Sequence, residues 1–387
     1  MQSAVNIEIV FWSAVALVLY AYAGYPCALA VLARFRRRTI RRRPHTPMVS
    51  FIITAHNEGA RIAQKIENTL RQDYPASRCE IIIASDSSTD ETDAIAAAFA
   101  PRIQLVRAAR RGGKEAAQRL AIEAASGEVL IFSDVATALA PTAVRTMAGN
   151  FADPTVGCVS SLDRFVDSHG RAAGEGAYVR YEMWLRTLET RANSLVGLSG
   201  SFFAARRDVC ARWASNRQSD FSTLLRAVEL GYRGVLDPES VGYYHSIDDP
   251  DREFSRKVRT VVRGLAVLAA NLRMLNPWRF GLFAWQLASH KLCRWLVPFA
   301  MIVALATSAI LASASPLYLG LCAAQVTFYG AALAGIFRPS PRLRIPSFFV
   351  AANAAVLVAW CRFACGERMV TWHPSQRASA LPSIQPQ

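Results

Sequence analysis

From Ile9 to Ala33 the chain carries no charged side chain, and no ordinary soluble fold accommodates such a run easily. A helix of that length reaches roughly 37 Å at about 1.5 Å per residue, against a hydrocarbon core of about 30 Å. It therefore spans a bilayer with some tilt. A cleaved signal peptide would have a shorter apolar region and a small-residue cleavage site. Here Arg34, Arg36, Arg37, Arg38, Arg41, Arg42 and Arg43 follow instead. Such a cluster is held on the cytoplasmic side and attracts anionic headgroups, by about 1 kcal/mol per charge near the surface. The segment reads as an anchor with its N-terminus outside.

A second uncharged stretch, Leu296 to Phe337, is long enough for two crossings with a turn near Ser313, Ser315 and Pro316. The turn lacks basic residues, whereas the next loop carries Arg338, Arg342 and Arg344, so the turn falls outside and the loop inside. A fourth apolar run, Ile345 to Cys361, is marginal in length and is followed by Arg362, Glu367 and Arg368. A full crossing would place that tail outside, against the same rule; a re-entrant segment is the alternative, and both stay open. A pure transporter fits poorly, because these runs lack the charged residues that would mark a pathway.

A net charge of +15 invites a nucleic-acid reading, but many of the basic residues flank the apolar runs. No basic-plus-aromatic binding motif accompanies them, so nucleic acid is not expected as a partner. The eight cysteines include no C-x-x-C pair, and read as small packing residues in a reducing compartment.

Between Pro47 and about Ala270 the pattern changes. Met48–Thr54, Glu80–Ala84, Ile103–Val106 and Val129–Phe132 are short apolar runs of strand length. Helical patterns lie between them, reaching Gln72, over Thr92–Phe99 and over Lys114–Ala125. Two-sided apolar strands joined by amphipathic helices predict a mostly parallel α/β sheet with helices on both faces. Ligands in such sheets bind beyond the carboxyl ends of the strands, where Asn57–Glu58, Asp86–Asp90 and Asp134 all fall. Carboxylates gathered at one edge suit a nucleotide and a divalent cation. Asp134 ends a strand and is the natural ligand for Mg²⁺ or Mn²⁺, since Mg²⁺ takes one or two carboxylates plus substrate phosphates. Asp90 is equally placed to cap the following helix, and Asp220 opens a helix that it could merely cap.

The order of motifs resembles the family 2 membrane glycosyltransferases of GT-A (Rossmann-like) fold, the group of cellulose, hyaluronan and poly-N-acetylglucosamine synthases. The matching pieces begin with Ala55-His56-Asn57-Glu58, Ser85-Asp86-Ser87-Ser88-Thr89-Asp90, Gly112-Gly113-Lys114 and Ser126-Gly127-Glu128, leading into Ser133-Asp134. They continue with Gly200-Ser201-Phe202-Phe203-Ala204-Ala205-Arg206-Arg207, Ser219-Asp220-Phe221 and Gly231-Tyr232-Arg233, and end with Arg256-Lys257-Val258-Arg259 on a basic amphipathic helix. The resemblance implies that Asp86 binds the nucleotide base, with Asn57, Glu58, Asp90 and Lys114 around the nucleotide. It implies Asp134 on the metal of the diphosphate, Asp220 as general base, and Arg259 with Arg256 on the leaving diphosphate. Inverting displacement at an anomeric carbon needs such a base and such cations.

Three positions depart from the pattern. Ala136 stands where a second metal carboxylate is usual, Ser219 where many members have an acid, and Thr260 where a tryptophan follows the arginine. The missing tryptophan weakens the case for long processive synthesis, so transfer of one or a few sugars is an equal expectation. The resemblance implies a UDP-sugar donor, a lipid-linked or glycan acceptor, and membrane lipids and polysaccharide-export proteins as partners. The alternatives are transfer to polyprenyl phosphate and a non-catalytic nucleotide-binding subunit of an export complex. The expected organisation is an anchor at 1–35, a basic segment at 36–47 and a cytoplasmic catalytic domain at 48–250. Interfacial helices at 251–293, membrane segments at 294–365 and a polar tail at 366–387 follow, in a multi-pass inner-membrane protein. Trp372 in Thr371-Trp372-His373-Pro374 resembles a C-terminal family motif without an assigned task.

Overall fold

The computed structural model describes residues 2–166, 177–245, 249–338, 340–369 and 381. The Trp372 motif and most of the polar tail lie outside the described residues. The chain divides into two compact units. One comprises Met1–Val31, Asp249–Ala266 and Leu272–Arg368; the other comprises Leu32–Asp248, Val267–Asn271 and Met369–Gln387.

The second unit is built on one eight-stranded sheet. Its strands are β1 (Val49–Ala55), β2 (Cys79–Ser85), β3 (Gln104–Arg107), β4 (Val129–Asp134), β5 (Ala138–Leu139), β6 (Val156–Val166), β7 (Phe202–Arg206) and β8 (Arg233–His245). Their order in space is β3-β2-β1-β4-β7-β6-β8-β5. The β3-β2-β1-β4 half is parallel, as the helix-interrupted apolar runs predict. Beyond β4 the sheet is mixed: β7 is antiparallel to both β4 and β6, β8 is parallel to β6, and β5 is antiparallel to β8. Side-chain alternation sends Phe51 and Ile53 into one apolar cluster and Ile52 into another, so both faces of β1 are buried.

Helices Gly59–Leu70 and Lys114–Ala124 cover opposite faces. Ile62 and Ile66 of the first pack in the cluster of Phe51; Ala117 and Ala121 of the second pack in that of Ile52. Each helix is stopped and started by the loops that carry the polar motifs. That is what brings the motifs to one sheet edge.

Among the described residues, four helical stretches are long and apolar enough to cross a membrane: Val5–Phe35, Leu282–Leu311, Pro316–Phe337 and Arg344–Ala364, all in the first unit but for Leu32–Phe35. The second stretch starts well before Arg294, where the sequence reading places the first C-terminal membrane residue. The fourth is a continuous helix of 21 residues. The basic helix Pro250–Ala269 precedes them.

Candidate active site

Strand register sets the site. Ala55 lies opposite Ser85 on β2, and Thr54 lies opposite Asp134 on β4, so the three following loops leave the sheet at one level. The first two loops are tied together. Asn57, at φ +52°, accepts at its Oδ1 from the Thr89 amide (2.8 Å), and its own amide donates to Ser88 Oγ (3.2 Å). The Glu58 amide donates to Thr92 Oγ1 at 2.8 Å. Asp90 accepts from the Gly59 amide (3.0 Å) with one oxygen and from the Thr92 amide (3.1 Å) with the other. It thus satisfies N–H groups at the starts of two helices, but the cap position of the following helix is Glu91, so Asp90 is not the cap weighed from sequence. Burial alone would raise its pKa, but the hydrogen bonds from Thr92 and Gly59 outweigh that and lower it.

Asp86 is fully buried. Its two oxygens accept from the amides of Gly112 (2.8 Å) and Gly113 (2.9 Å), and its carbonyl accepts from His56 Nδ1 at 2.8 Å. What Asp86 does is hold the loop that begins the helix Lys114–Ala124, its charge favoured at that helix N-terminus. Glu58 is also buried and paired with Arg61, whose Nε donates to Oε2 at 2.8 Å. Burial holds the Glu58 carboxyl above the usual range despite Arg61. Of the nucleotide residues expected from sequence, Asn57 alone is exposed among Asn57, Glu58 and Asp86.

The second group forms around Asp134. Lys114 Nζ pairs with Asp134 Oδ1 and donates to the Gly200 carbonyl at 2.8 Å. The Asp134 amide donates to the Ser201 carbonyl at 2.9 Å. Gly200 in turn lies against Asp220, since a methyl carbon on Gly200 would sit 3.6 Å from Asp220 Oδ2. Asp220 lies in the first turn of the helix Ser219–Glu229; the cap position is Gln218, so Asp220 is not the cap, and Gln218 Nε2 donates to its Oδ2 at 3.1 Å. The structure therefore brings Asp134, Lys114, Gly200 and Asp220 together.

Arg256 and Arg259 belong to the other unit, on the helix Pro250–Ala269. Arg256 is held by Glu253 in a two-point pair at 2.8 and 2.7 Å. Burial lowers the Arg259 pKa, and the neighbouring Arg263 and Arg256 charges lower it further.

Several residues of the site were not singled out from sequence. Glu115, buried, accepts from the Ser219 amide (3.3 Å) and hydroxyl (3.4 Å), and so ties the Lys114 helix to the Asp220 helix. Lys65 is wholly buried under the Asp134 loop and donates to Ser133 Oγ and the Thr137 carbonyl, both at 2.7 Å. Its signal was present: it shares the apolar face of its helix with Ile62, Ile66 and Thr69. Asp163 accepts from Ser199 Oγ (2.8 Å) and Tyr244 OH (2.7 Å), fixing the segment before Gly200.

Among the described residues no group of three or more His, Cys, Asp or Glu side chains is placed to hold a metal ion. Asp134 is the carboxylate at the sheet edge, partly exposed, with Ala136 beyond it. One carboxylate completed by diphosphate oxygens and water is a donor set that Mg²⁺ accepts, so the residues fit a cation that arrives with its substrate.

Residues 50–213 match the family model described as glycosyl transferase family 2. A β-monoglucosyldiacylglycerol synthase of Nostoc sp. is 25% identical over 244 residues, covering 60% of this chain and 51% of its own. An N-acetylglucosaminyltransferase of Bradyrhizobium diazoefficiens is 27% identical over 192 residues, covering 48% of this chain and 38% of its own. The chain spans about half the length of the first of these curated relatives, and less of the second. Among solved structures, a mannosyltransferase from Pyrobaculum calidifontis in complex with GDP-Man and Mn²⁺ has the same fold. Its TM-score is 0.72 at 23% identity, covering 92% of this chain and 100% of that one. With this match, this sheet and these strand-end loops, residues 50–213 form a glycosyltransferase domain of family 2.

Proposed function

We propose that the chain is an inverting glycosyltransferase that moves a sugar from a nucleoside diphosphate sugar to an acceptor held at the membrane. The observation that carries this reading is the continuous contact from Asp134 through Lys114 and Gly200 to Asp220. It sets a metal-type carboxylate, a cation and a candidate base along one edge of the sheet.

In this reading Asp220 takes the proton of the acceptor hydroxyl. The acceptor oxygen bonds to the anomeric carbon on the face opposite the diphosphate. The bond from that carbon to the diphosphate oxygen breaks, and its electron pair leaves with the nucleoside diphosphate. A divalent cation on Asp134 neutralises the departing charge when bound. Lys114 holds Asp134 and the Gly200 loop in place and adds positive charge at the same spot. Arg259, on the other unit, is assigned to the leaving diphosphate by the family resemblance. Asp86 acts through the Gly112–Gly113 loop it clamps.

A membrane-associated acceptor is supported by the four candidate spans and by the lipid product in the name of the Nostoc relative. The donor base stays between uracil, expected from sequence, and guanine, as in the Pyrobaculum complex. Transfer of one or a few sugars in glycolipid or cell-surface glycan assembly fits better than long polymerisation, given Thr260.

The test is a panel of radiolabelled nucleotide sugars offered to membranes containing the protein, with the product extracted and sized. One donor should be transferred in the presence of Mn²⁺ or Mg²⁺ and not after chelation. Asp220→Asn should lower turnover by at least about 10²-fold while donor binding persists. Turnover equal to wild type in that variant removes the base assignment, and donor binding without transfer by the wild type supports a non-catalytic subunit instead.

A further inference from the structure

The Asp134 loop carries its own cation. Lys114 Nζ is paired with Asp134 Oδ1 and donates to the Gly200 carbonyl at 2.8 Å, so an ammonium already stands on the carboxylate assigned to a metal. The two side chains are only 9% and 23% exposed, and a pair so enclosed is weakly screened by salt. A second ammonium, Lys65, holds the same loop through Ser133 Oγ and the Thr137 carbonyl, both at 2.7 Å. Glu58 also feels the Asp134 charge, but it is itself paired with Arg61. Ala136 adds no side-chain ligand.

A divalent cation that approaches this loop alone therefore meets a carboxylate whose charge is already matched. It also meets the repulsion of an ammonium in direct contact with that carboxylate. A diphosphate changes both conditions. It brings the phosphate oxygens with which Mg²⁺ completes its shell beside one or two protein carboxylates. It also offers Lys114 another anion to pair with.

Lys114 can make that exchange without moving its backbone. Asp86 clamps the amides of Gly112 and Gly113 directly before it, whereas the lysine charge rides on a flexible four-carbon stem. An ammonium has three donors, so Lys114 can keep the Gly200 carbonyl while it turns from Asp134 to a phosphate oxygen.

We infer that Lys114 is a resting-state lock on Asp134: it occupies the carboxylate until a nucleoside diphosphate draws the ammonium away, so metal and nucleotide bind together. The inference rests on the reading of Asp134 as the metal carboxylate of a glycosyltransferase site, and adds how that site fills. By linkage, the nucleotide raises metal affinity by the same factor as the metal raises nucleotide affinity.

The full chain, purified in mild detergent, is titrated with Mn²⁺ alone and with UDP or GDP. The free ion is followed by electron paramagnetic resonance, which needs no sugar transfer. The wild type should take up Mn²⁺ at least about tenfold more tightly with one of the diphosphates than without. Lys114→Met should gain about tenfold in affinity for Mn²⁺ alone, and the gain should vanish when Asp134→Asn is added. A damaged fold loses metal affinity and does not gain it, so this readout separates a lock from a merely structural lysine. Lys114→Arg, which keeps the charge, should bind Mn²⁺ alone as weakly as the wild type. Lys114→Gln retains a donor for the Gly200 carbonyl and decides the matter if Lys114→Met does not fold. Wild-type affinity for Mn²⁺ alone in the variant that folds, or a gain that survives Asp134→Asn, overturns the lock and leaves the transferase reading standing. Absence of diphosphate-linked uptake in every variant overturns both.

Discussion

Lys65 carries an ammonium into the interior beneath the Asp134 loop, and burial pushes its pKa down to about 7 although the nearby Asp134 charge opposes this. An unfolded lysine titrates near 10.4. Between about pH 7 and 10 the unfolded chain therefore binds the extra proton, so this group makes stability rise with pH across that window. The contribution is lost as pH falls through 7. Lys65→Met should flatten that rise, an effect on the order of a few kcal/mol. The measurement is thermal unfolding of the detergent-solubilised protein over a pH series; an unchanged slope in the variant would show that Lys65 stays charged. Asp86 illustrates the same scale. Its type and position were legible in the sequence as a strand-end carboxylate, but its partners were not. Only the fold reveals that its oxygens face the backbone of Gly112 and Gly113.

At the scale of elements, the site depends on how loops start helices. Gly113 has φ +90° and ψ 171°, a region open essentially to glycine. From there its amide reaches Asp86 while Lys114 enters the helix pointing at Asp134. Gly113→Ala should destabilise the domain by about 1–3 kcal/mol and raise the KM for donor more than it lowers kcat. Steady-state kinetics with a denaturation curve check both. The parallel half of the sheet was readable because each apolar run alternates with a helical pattern. The mixed half was not, since periodicity gives a strand's faces but not its direction or neighbours. β7 and β8 join the sheet through pairings between residues far apart in sequence.

At the scale of the whole molecule, two units divide the work: one carries the family 2 domain and the other the candidate spans. The helix Arg344–Ala364 is continuous and long enough to cross, which favours a crossing over the re-entrant alternative. A chain with its other cysteines replaced should then react at Cys365 with a membrane-impermeant thiol reagent from outside intact cells. Labelling only after the membrane is opened would restore the re-entrant reading. The sequence by itself determined that the chain has apolar spans, a βα-repeating segment and polar strand-end loops in a family-typical order. These follow from local periodicity and from the cost of placing charge in lipid. Tertiary structure alone decided which polar groups meet: Glu115 with Ser219, Lys65 under Asp134, and Arg294 beside Tyr22 and His290. Each of these contacts joins segments or faces whose closeness depends on three-dimensional packing, which no local pattern encodes.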